Sequence, residues 1–511
     1  MSRCFACLLT FTIVLSSGVQ AALTKSSQDK GPAYLVYAGP YSASPSSAFG
    51  HLFLALASSE DEPPPLWDVI TFNAETFGAD PFRYLTVGIK GGFLGRYGRV
   101  EYHEKTREYG VIADRDLWLI QLTLSKEERS QLERLLAEAE DEWFPYTFFI
   151  RNCAYYLQSI LSAATGALSD PSGITSPTGV FQEVQDSRIG GPTFFRPAAS
   201  RRLLAIGDNL SETVKQELKT RPWREIAADT LWHNRLQSEE LAFVLEFVSL
   251  RMEETSTRLA SNEEAGLANL RLRAISNFGL EERSFKTDPQ RPIPDPSFHE
   301  YSRLRLSQGL DETSSGRTYL SLRGALHDES DPWFGHRPLT TLDMLSVELS
   351  SPSTELIPRL ESAVLFSQRA LSPGDWVRGR ASWMLEMQAR RGGVFSEDGV
   401  HFEVRSGSGG TWAFPFNTYG YALFTTGIVG DWGRGIDFTP GAEVGFLALP
   451  HDRARVGFRW SHERRISEWS THYSRITAWA KVDLSARWGL MVRMSETGSF
   501  SSWLAGFDWY L

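Results

Sequence analysis

Cys153 has the residue type and the position for covalent chemistry. It lies in the segment FIRNCAYYLQSILSAATG (149–166), where Leu157 and Leu161 repeat at helical spacing and Asn152 is a preferred N-cap type. A thiol in the first turn of a helix feels the positive end of the helix dipole, which raises its thiolate fraction when a cation is also near. The alternative is a small buried side chain that packs on the apolar face of this helix.

His51 is the candidate base for this thiol. It begins the segment HLFLALA (51–57), which has the period of a strand, and it follows Gly50. A histidine on a strand that faces a cysteine on a helix is a thiol-nucleophile arrangement, in which the imidazole acts first as general base and then as general acid. Asn73, in TFNAETF, is the candidate third catalytic residue that orients the histidine; the alternative is a turn residue at a strand end.

Further polar side chains around these residues are candidates for substrate binding. Tyr146 and Tyr155 flank the thiol in the sequence, and Asn152 directly precedes it. Arg115, in ADRDLW, precedes a predicted strand and either binds a substrate headgroup or pairs with Asp116.

The sequence carries no signature of a metal site or of a cofactor. The ten histidines are scattered without the spacing of metal ligands. The glycine-rich segment GIKGGFLGRYG (88–98) lacks the lysine–serine ending of a phosphate-binding loop, and it predicts instead a turn-rich flap over the site. We therefore expect thiol chemistry that needs no cofactor.

The elements that must position these residues predict an α+β domain over residues 31–168. Residues 125–143 begin with Ser125 and Glu128, the pair of a capping box, and continue with leucines at helical spacing. Strands are predicted at 34–38, 51–57, 66–72 and 117–124. Residues 169–315 then predict a helical linker or adaptor region, with the proline-rich break KTDPQRPIPDPS (286–297).

The chain from residue 316 to residue 511 alternates polar and apolar residues in strand after strand. Trp503, Phe507 and Trp509 share one face of SWLAGFDWYL, whereas Lys481 and Asp483 lie on the polar face of AWAKVDLSAR. Segments of about ten alternating residues between turns predict an antiparallel transmembrane β-barrel, here of about 10–12 strands. The alternative is a soluble antiparallel sandwich, which alternates as well.

Residues 1–21 have the composition of a secretory signal peptide, with Arg3, an apolar run and a small-residue cleavage pattern. Cleavage would remove Cys4 and Cys7 and leave Cys153 without a disulfide partner in the same chain. The formal net charge of −10 argues against nucleic acid as a partner. No later apolar run reaches the roughly 20 residues of a spanning helix.

The chain from about residue 33 to residue 165 resembles the Lnb N-terminal periplasmic domain family. It keeps the order of the family's segments, namely SSAFGHLFL, ITFNAETF, GIKGGFLGRYG, VEYHEKTREYG, RDLWLIQLTLSKEE and FFIRNCAYYL. That family is named after an enzyme that rearranges acyl chains on bacterial lipoproteins. It is similar to circularly permuted papain-like folds of the NlpC and lecithin:retinol acyltransferase type, in which His precedes Cys. The resemblance implies that His51 and Cys153 are the catalytic pair.

The family also has Gram-negative members that continue into a barrel-like region, as this chain does. The enzyme that names the family is anchored by transmembrane helices, which this sequence does not predict after residue 21. The fold class that we expect is therefore multidomain: a permuted papain-like α+β domain, a helical region and a C-terminal barrel.

These observations predict an envelope thiol enzyme that is anchored in the outer membrane and faces the periplasm. Cys153 would form a thioacyl intermediate with His51 as base, and the acyl groups of a membrane lipid or a lipoprotein are the expected substrates. One alternative is a peptidoglycan amide hydrolase, since NlpC-type relatives cleave such bonds. The other is a non-enzymatic transport or assembly barrel whose N-terminal domain only binds.

Overall fold

The computed structural model describes residues 30–40, 50–62, 64–76, 81–255, 302–310, 316–332, 339–352, 357–374, 381–392, 399–431, 435–497 and 500–511. The predicted signal peptide, residues 1–21, and the proline-rich break, residues 286–297, lie outside these ranges.

A seven-stranded antiparallel sheet, counted over the described residues, is the frame of the N-terminal domain. Its strands are β1 (Ala33–Ala38), β2 (His51–Leu56), β3 (Asp68–Glu75), β4 (Phe93–Glu101), β5 (Leu117–Leu122), β6 (Phe144–Tyr146) and β7 (Gly190–Arg196), in the spatial order β6-β4-β3-β2-β1-β5-β7. The accompanying helices are α1 (Pro81–Lys90), α2 (Tyr102–Thr106), α3 (Lys126–Ala139), α4 (Cys153–Thr165) and α5 (Pro177–Asp186). Because β7 pairs with β5, the sheet extends past the domain boundary expected at residue 168.

The two faces of this sheet carry separate apolar cores, as the period-two alternation of a strand requires. On β2, Leu52 and Leu54 pack in the core that also contains α3, α4 and α5. Phe53 and Ala55 pack on the opposite face, against Tyr109 and the segment around α2. The thiol helix α4 therefore covers only one face of the sheet.

Local sequence signals set the ends of the helices that frame the site. The predicted capping box at α3 is present, since the Ser125 hydroxyl accepts from the Glu128 amide and the Glu128 carboxylate accepts from the Ser125 amide. Asn152 is the N-cap of α4. Gly166 ends α4 with a φ of 61°, a left-handed conformation that glycine adopts without strain.

A layer of helices follows the sheet: α6 (Ala199–Asp208), α7 (Glu212–Thr220), α8 (Trp223–Ala228), α9 (Thr230–His233) and α10 (Ser238–Thr255). These helices share one core with Val111 of the first domain. Asp116 accepts from the Ala198 amide at 2.9 Å and pairs with Arg201 at 2.9 Å, which ties the layer to the sheet. The described part of the predicted linker is thus packed on the N-terminal domain.

Within the described ranges, twelve strands close into an antiparallel barrel, as the sequence pattern predicts. Its strands run in this order: β8 (Arg303–Leu310), β9 (Gly316–His327), β10 (Thr340–Pro352), β11 (Arg359–Ala370), β12 (Ser382–Arg391), β13 (Val400–Phe414), β14 (Thr418–Asp431), β15 (Gly435–His451), β16 (Ala454–Arg464), β17 (His472–Asp483), β18 (Trp488–Thr497) and β19 (Phe500–Tyr510). Closure is made by β19, which pairs with β8. The barrel therefore begins at Arg303, before the boundary expected at residue 316, because the short β8 supplies the closing neighbour of β19.

The barrel wall alternates as the sequence predicts. Trp503, Phe507 and Trp509 are 39–56 % exposed on the outside, whereas Lys481 and Asp483 are 1 % and 3 % exposed and point inward. A closed barrel with an apolar exterior and a charged interior is the architecture that lipid requires, because closure leaves no strand edge with unpaired backbone groups. The soluble sandwich is therefore ruled out.

Arginine–carboxylate pairs line much of the barrel lumen, beside an apolar cluster that includes Leu423 and Trp479. Arg305 binds Asp508 through two hydrogen bonds of 2.5 and 2.9 Å, and Arg459 binds Glu329 at 2.7 and 2.8 Å. Between these groups lies a polar cavity of about 260 Å³.

None of the described helices is long and apolar enough to cross a membrane.

Candidate active site

Cys153 is the first residue of α4, and its side chain is 5 % exposed. The backbone N–H groups of Leu52, Cys153 and Ala154 and the charge of Arg115 each act to lower the pKa of the thiol. The thiol thus lies where the N-terminus of α4 meets the start of β2, in surroundings that favour a negative charge. It forms no disulfide.

Burial nevertheless dominates the ionisation of this thiol. It raises the pKa of Cys153 above the usual thiol value, and the N–H groups and Arg115 offset the effect only in part. The depressed pKa expected from the helix N-terminus is therefore not present in this state. A base that removes the thiol proton is therefore needed to form the thiolate.

His51 is the first residue of β2, but its ring does not face α4. The ring packs beside the stacked rings of Phe53 and Tyr109, and its Nε2 is 2.8 Å from the Thr71 hydroxyl, all on the face of the sheet opposite to α4. Among the described residues no hydrogen bond joins Cys153 to His51. The expected facing arrangement is wrong for this state, because His51 and Leu52 alternate and it is Leu52 that points toward the thiol helix.

The backbone keeps the two groups close all the same. One of the backbone N–H groups that lower the pKa of the thiol belongs to Leu52, the residue bonded to His51. His51 is the first residue of β2, and Gly50 before it has a φ of 77°, outside the strand region. The ring of His51 therefore lies at the end of the strand. Burial and the cations Lys105 and Arg115 hold the pKa of His51 well below its usual value, which keeps the imidazole neutral and able to accept a proton.

Thr71 is the residue that orients His51, and no sequence signal points to it. Its side chain is 1 % exposed, and its hydroxyl also lies 3.5 Å from Oδ1 of Asn73, the predicted third member. If the hydroxyl proton goes to Asn73, the oxygen accepts from Nε2–H of His51 and the lone pair of Nδ1 is left free. Asn73 therefore acts on His51 only through Thr71, and β3 supplies both residues from one face.

Arg115 is a buried structural cation rather than a free headgroup ligand. Its Nε and Nη2 donate to the carbonyl oxygens of Gly39 and Ala38 at 2.5 and 2.8 Å, and its guanidinium lies 4.7 Å from the Tyr109 ring centre. It does not pair with Asp116, which binds Arg201 instead. Arg115 thus joins the end of β1 to the site, and its charge acts on both Cys153 and His51.

Asn152 is fully engaged in holding α4, so the prediction that it binds substrate is replaced by a capping role. Its Oδ1 accepts from the amides of Ala154 and Tyr155 at 3.0 and 3.1 Å. Its Nδ2 donates to the carbonyl oxygens of Phe148 and Thr175 at 2.9 and 2.7 Å. The side chain is 5 % exposed and places the amide of Cys153.

The predicted substrate-binding tyrosines belong to an aromatic cluster beside α4. The ring of Tyr146 lies 6.3 Å from that of Phe72, and the ring of Tyr155 meets that of Tyr156 edge-on at 5.1 Å. Both tyrosines pack at the margin of the core that contains Cys153.

The glycine-rich segment 88–98 does not form the expected flap. It contains the end of α1, a turn at Gly91 and Gly92 with φ values of 95° and 133°, and the strand β4, which pairs with β3 and β6. In the described part of the chain no group of His, Cys, Asp or Glu is arranged to hold a metal ion.

Family comparisons agree with this division of the chain. Residues 20–187 match the Lnb N-terminal periplasmic domain, and residues 293–510 match a domain of unknown function, DUF7840. Comparison with the curated proteins gave no match.

Solved structures that resemble the chain include porins, another outer-membrane protein and a designed transmembrane barrel. The KdgM porin in complex with disordered oligogalacturonate is 6 % identical, with 41 % of this chain and 99 % of that chain covered and a TM-score of 0.26. The NanC porin is 8 % identical, with 41 % and 100 % covered and a TM-score of 0.27. Omp33 of Acinetobacter baumannii is 10 % identical, with 42 % and 100 % covered and a TM-score of 0.23.

The N-terminal domain is thus a Lnb periplasmic domain, and the C-terminal region is a closed outer-membrane type of barrel. Both ends of the barrel chain, at Arg303 and Tyr510, lie at the same rim, because an even number of antiparallel strands returns to its starting side. That rim is the periplasmic one, since the periplasmic domain precedes β8. The protein is therefore anchored in the outer membrane with its N-terminal domain in the periplasm.

Proposed function

We propose that the chain is a periplasm-facing thiol enzyme, anchored by its barrel, that transfers or hydrolyses acyl groups through a thioacyl intermediate on Cys153. One observation carries this proposal: Cys153 is the first residue of α4, capped by Asn152, and packs in one core with Leu52 at the start of β2, where backbone N–H groups and Arg115 act to lower the pKa of the thiol. A purely structural buried cysteine has no need of such surroundings, whereas a thiolate and the oxyanion that forms next to it are both stabilised by them.

In the reaction that we propose, His51 accepts the thiol proton on Nδ1 while its Nε2 stays bound to the Thr71 hydroxyl. The thiolate attacks an ester or amide carbonyl carbon, and the carbon–oxygen or carbon–nitrogen bond breaks. The leaving alcohol or amine takes the proton from the imidazolium. Water or an amine then attacks the thioester with His51 as base, which releases the acyl product and restores the thiol.

Acyl groups of membrane lipids or lipoproteins are the proposed substrates, and a peptidoglycan amide is the second candidate. Support for the first comes from the barrel, which keeps the site beside a bilayer, and from the match to the Lnb domain. The transport alternative has less support, because ion pairs occupy the described part of the lumen.

The test is intact-protein mass spectrometry after the full-length barrel has been incubated with envelope phospholipids. The proposal expects an added acyl mass that maps to Cys153 in the wild-type protein and is missing in Cys153→Ala. Release of cleaved muropeptides by the wild type alone would favour the peptidoglycan substrate. If Cys153→Ala retains every cellular phenotype of the wild type, the domain only binds and the enzymatic proposal fails.

A further inference from the structure

A patch on the outer wall of the barrel is covered by the N-terminal domain. Ala325, Leu342, Met344 and Phe366 form one buried cluster, against which Ile89 of α1 and Phe149 pack. We call these residues the docking surface. Thr341 and Asp343 line the lumen, so Leu342 and Met344, which alternate with them, face outward. Phe366 is paired with Met344 and faces the same way.

The burial of this patch is an exception on the barrel wall. Leu342, Met344 and Phe366 are 4 %, 1 % and 3 % exposed, whereas Phe458 and Phe424 on the same outer surface are 40 % and 68 % exposed. The patch lies near the periplasmic rim, since β9 and β11 end there and β10 begins there. The thiol domain therefore replaces lipid at this part of the wall.

Phe149 connects the docking surface to the thiol through a short chain of hydrogen bonds. The Thr147 hydroxyl accepts from the amides of Ile150 and Arg151, and the Phe149 carbonyl accepts from the Thr175 amide at 2.9 Å. The side-chain amide of Asn152 donates to the Phe148 carbonyl at the end of this loop, and Asn152 is also the N-cap of α4. A shift of Phe149 would therefore move the cap and, with it, the first-turn amides at the sulfur.

Ile89 is coupled to the same loop. The Phe148 amide donates to the Gly88 carbonyl at 2.8 Å, and the Phe148 ring lies so close to Gly88 that a Cβ there would be 2.1 Å from it. Ile89 and Phe149 are thus held as one unit on the thiol domain. The barrel wall supplies the apolar surface that keeps this unit in place.

We propose that docking on the barrel wall sets the amide geometry around Cys153, so that the reactivity of the thiol depends on the assembled barrel. A chain whose barrel has not yet closed would carry a less reactive thiol, which would limit acyl chemistry to the inserted protein. This inference needs a thiol that ionises, and it does not require acyl transfer.

The test compares two Phe→Ala changes that leave the thiol domain untouched. In the full-length folded protein, Phe366→Ala should move the pH midpoint of Cys153 alkylation by iodoacetamide upward by about half a unit, which lowers the rate at pH 7 about threefold. Phe458→Ala, on the bare wall, should leave the profile unchanged. Superimposable profiles for the two variants would overturn the proposed coupling.

A second pair of variants covers the case in which Phe366→Ala does not fold. Phe149→Ala should give the same upward shift, and Ile150→Ala, a neighbour that is 49 % exposed, should not. In a Cys153→Ser background, cysteines introduced at 149 and 366 should be joined by a short bis-maleimide, and cysteines at 150 and 458 should not. Failure of the 149–366 cross-link in the folded protein would show that the docking surface does not exist in the membrane.

Discussion

Replacement of Thr71 by valine removes the hydroxyl that binds the ring of His51 in the described part of the chain, while it keeps the shape of the side chain. Thr71 is 1 % exposed and its hydroxyl oxygen is 2.8 Å from Nε2 of His51, so water does not reach the position of this hydroxyl. A buried donor left without a partner costs about 1–3 kcal/mol. If His51 must hold one tautomer to act as base, that cost converts to a loss of roughly 5- to 150-fold in rate.

The assay uses a p-nitrophenyl ester of a short acyl chain and the full-length protein folded in detergent. The burst of nitrophenolate reports acylation of Cys153, and the slow phase reports attack by water on the thioester, the step that needs a base most. Thr71→Val should slow the second phase, and Thr71→Ser, which keeps the hydroxyl, should restore it. A merely structural loss would not be rescued by serine and would not alter the pH profile. The slow phase of Thr71→Ser and the pH profile of Thr71→Val are therefore both measured.

Equal slow phases for the wild type, Thr71→Val and Thr71→Ser would refute the reasoning. His51 would then not depend on its hydrogen bond to Thr71, and the role of β3 in the site would be limited to packing. The same result would remove Asn73 from the site, because it reaches His51 only through Thr71.

The remaining predictions concern stability and insertion. The pKa of His51 is depressed in the folded protein, so the unfolded chain binds one more proton below about pH 6.5. The free energy of unfolding of the N-terminal domain should therefore fall by up to about 1.4 kcal/mol per pH unit below that pH, and His51→Gln should remove this dependence. The reaction of Cys153 with a bulky maleimide across a thermal ramp measures the unfolding. Asn152→Ala should destabilise α4 by about 1–2 kcal/mol from the lost cap alone, and Asn152→Asp should destabilise it more, because its second carboxylate oxygen would face the carbonyl oxygens of Phe148 and Thr175; urea unfolding compares them. Phe458→Arg, halfway along β16, should cost about 2–4 kcal/mol of insertion, whereas Phe416→Arg, in an exposed turn, should be near neutral; heat-modifiable gel migration distinguishes them.

The barrel could be predicted well from the sequence because its physics is local. Every second residue of a strand faces lipid, so Trp503, Phe507 and Trp509 had to share a face opposite to Asp508, and they do. Strand β8 was missed because it is short and follows a proline-rich segment, and only its partner β19 shows that the barrel needs it.

The site was harder to predict because its geometry depends on long-range contacts. Residue types and the resemblance pointed to Cys153 and His51, and the cap type pointed to Asn152. They could not give the face of β2 on which the His51 ring lies, since that follows from which of the two cores accepts Leu52. Thr71 carries no signal at all: a threonine in a strand is ordinary, and its role arises only from its place beside His51.

Residues 328–332, the described beginning of the connection between β9 and β10, lie against the lumen. Asp331, on this connection, is 0 % exposed and accepts from Arg303 and from the Tyr510 hydroxyl, each at 2.7 Å, and from Arg323. These contacts hold the described part of the connection inside the lumen at the periplasmic rim. Loss of one partner from a buried pair costs about 3–5 kcal/mol, because the remaining charge stays buried.

Asp331→Asn should therefore release the connection and raise the ion conductance of the barrel in a planar bilayer. Asp452→Asn makes the same change at an exposed turn on the same rim and should leave the conductance at the wild-type level. A wild-type barrel that already conducts as well as Asp331→Asn would mean that the connection does not close the lumen. The transport alternative would then gain support, whereas a closed wild-type barrel supports its role as an anchor that keeps Cys153 at the membrane.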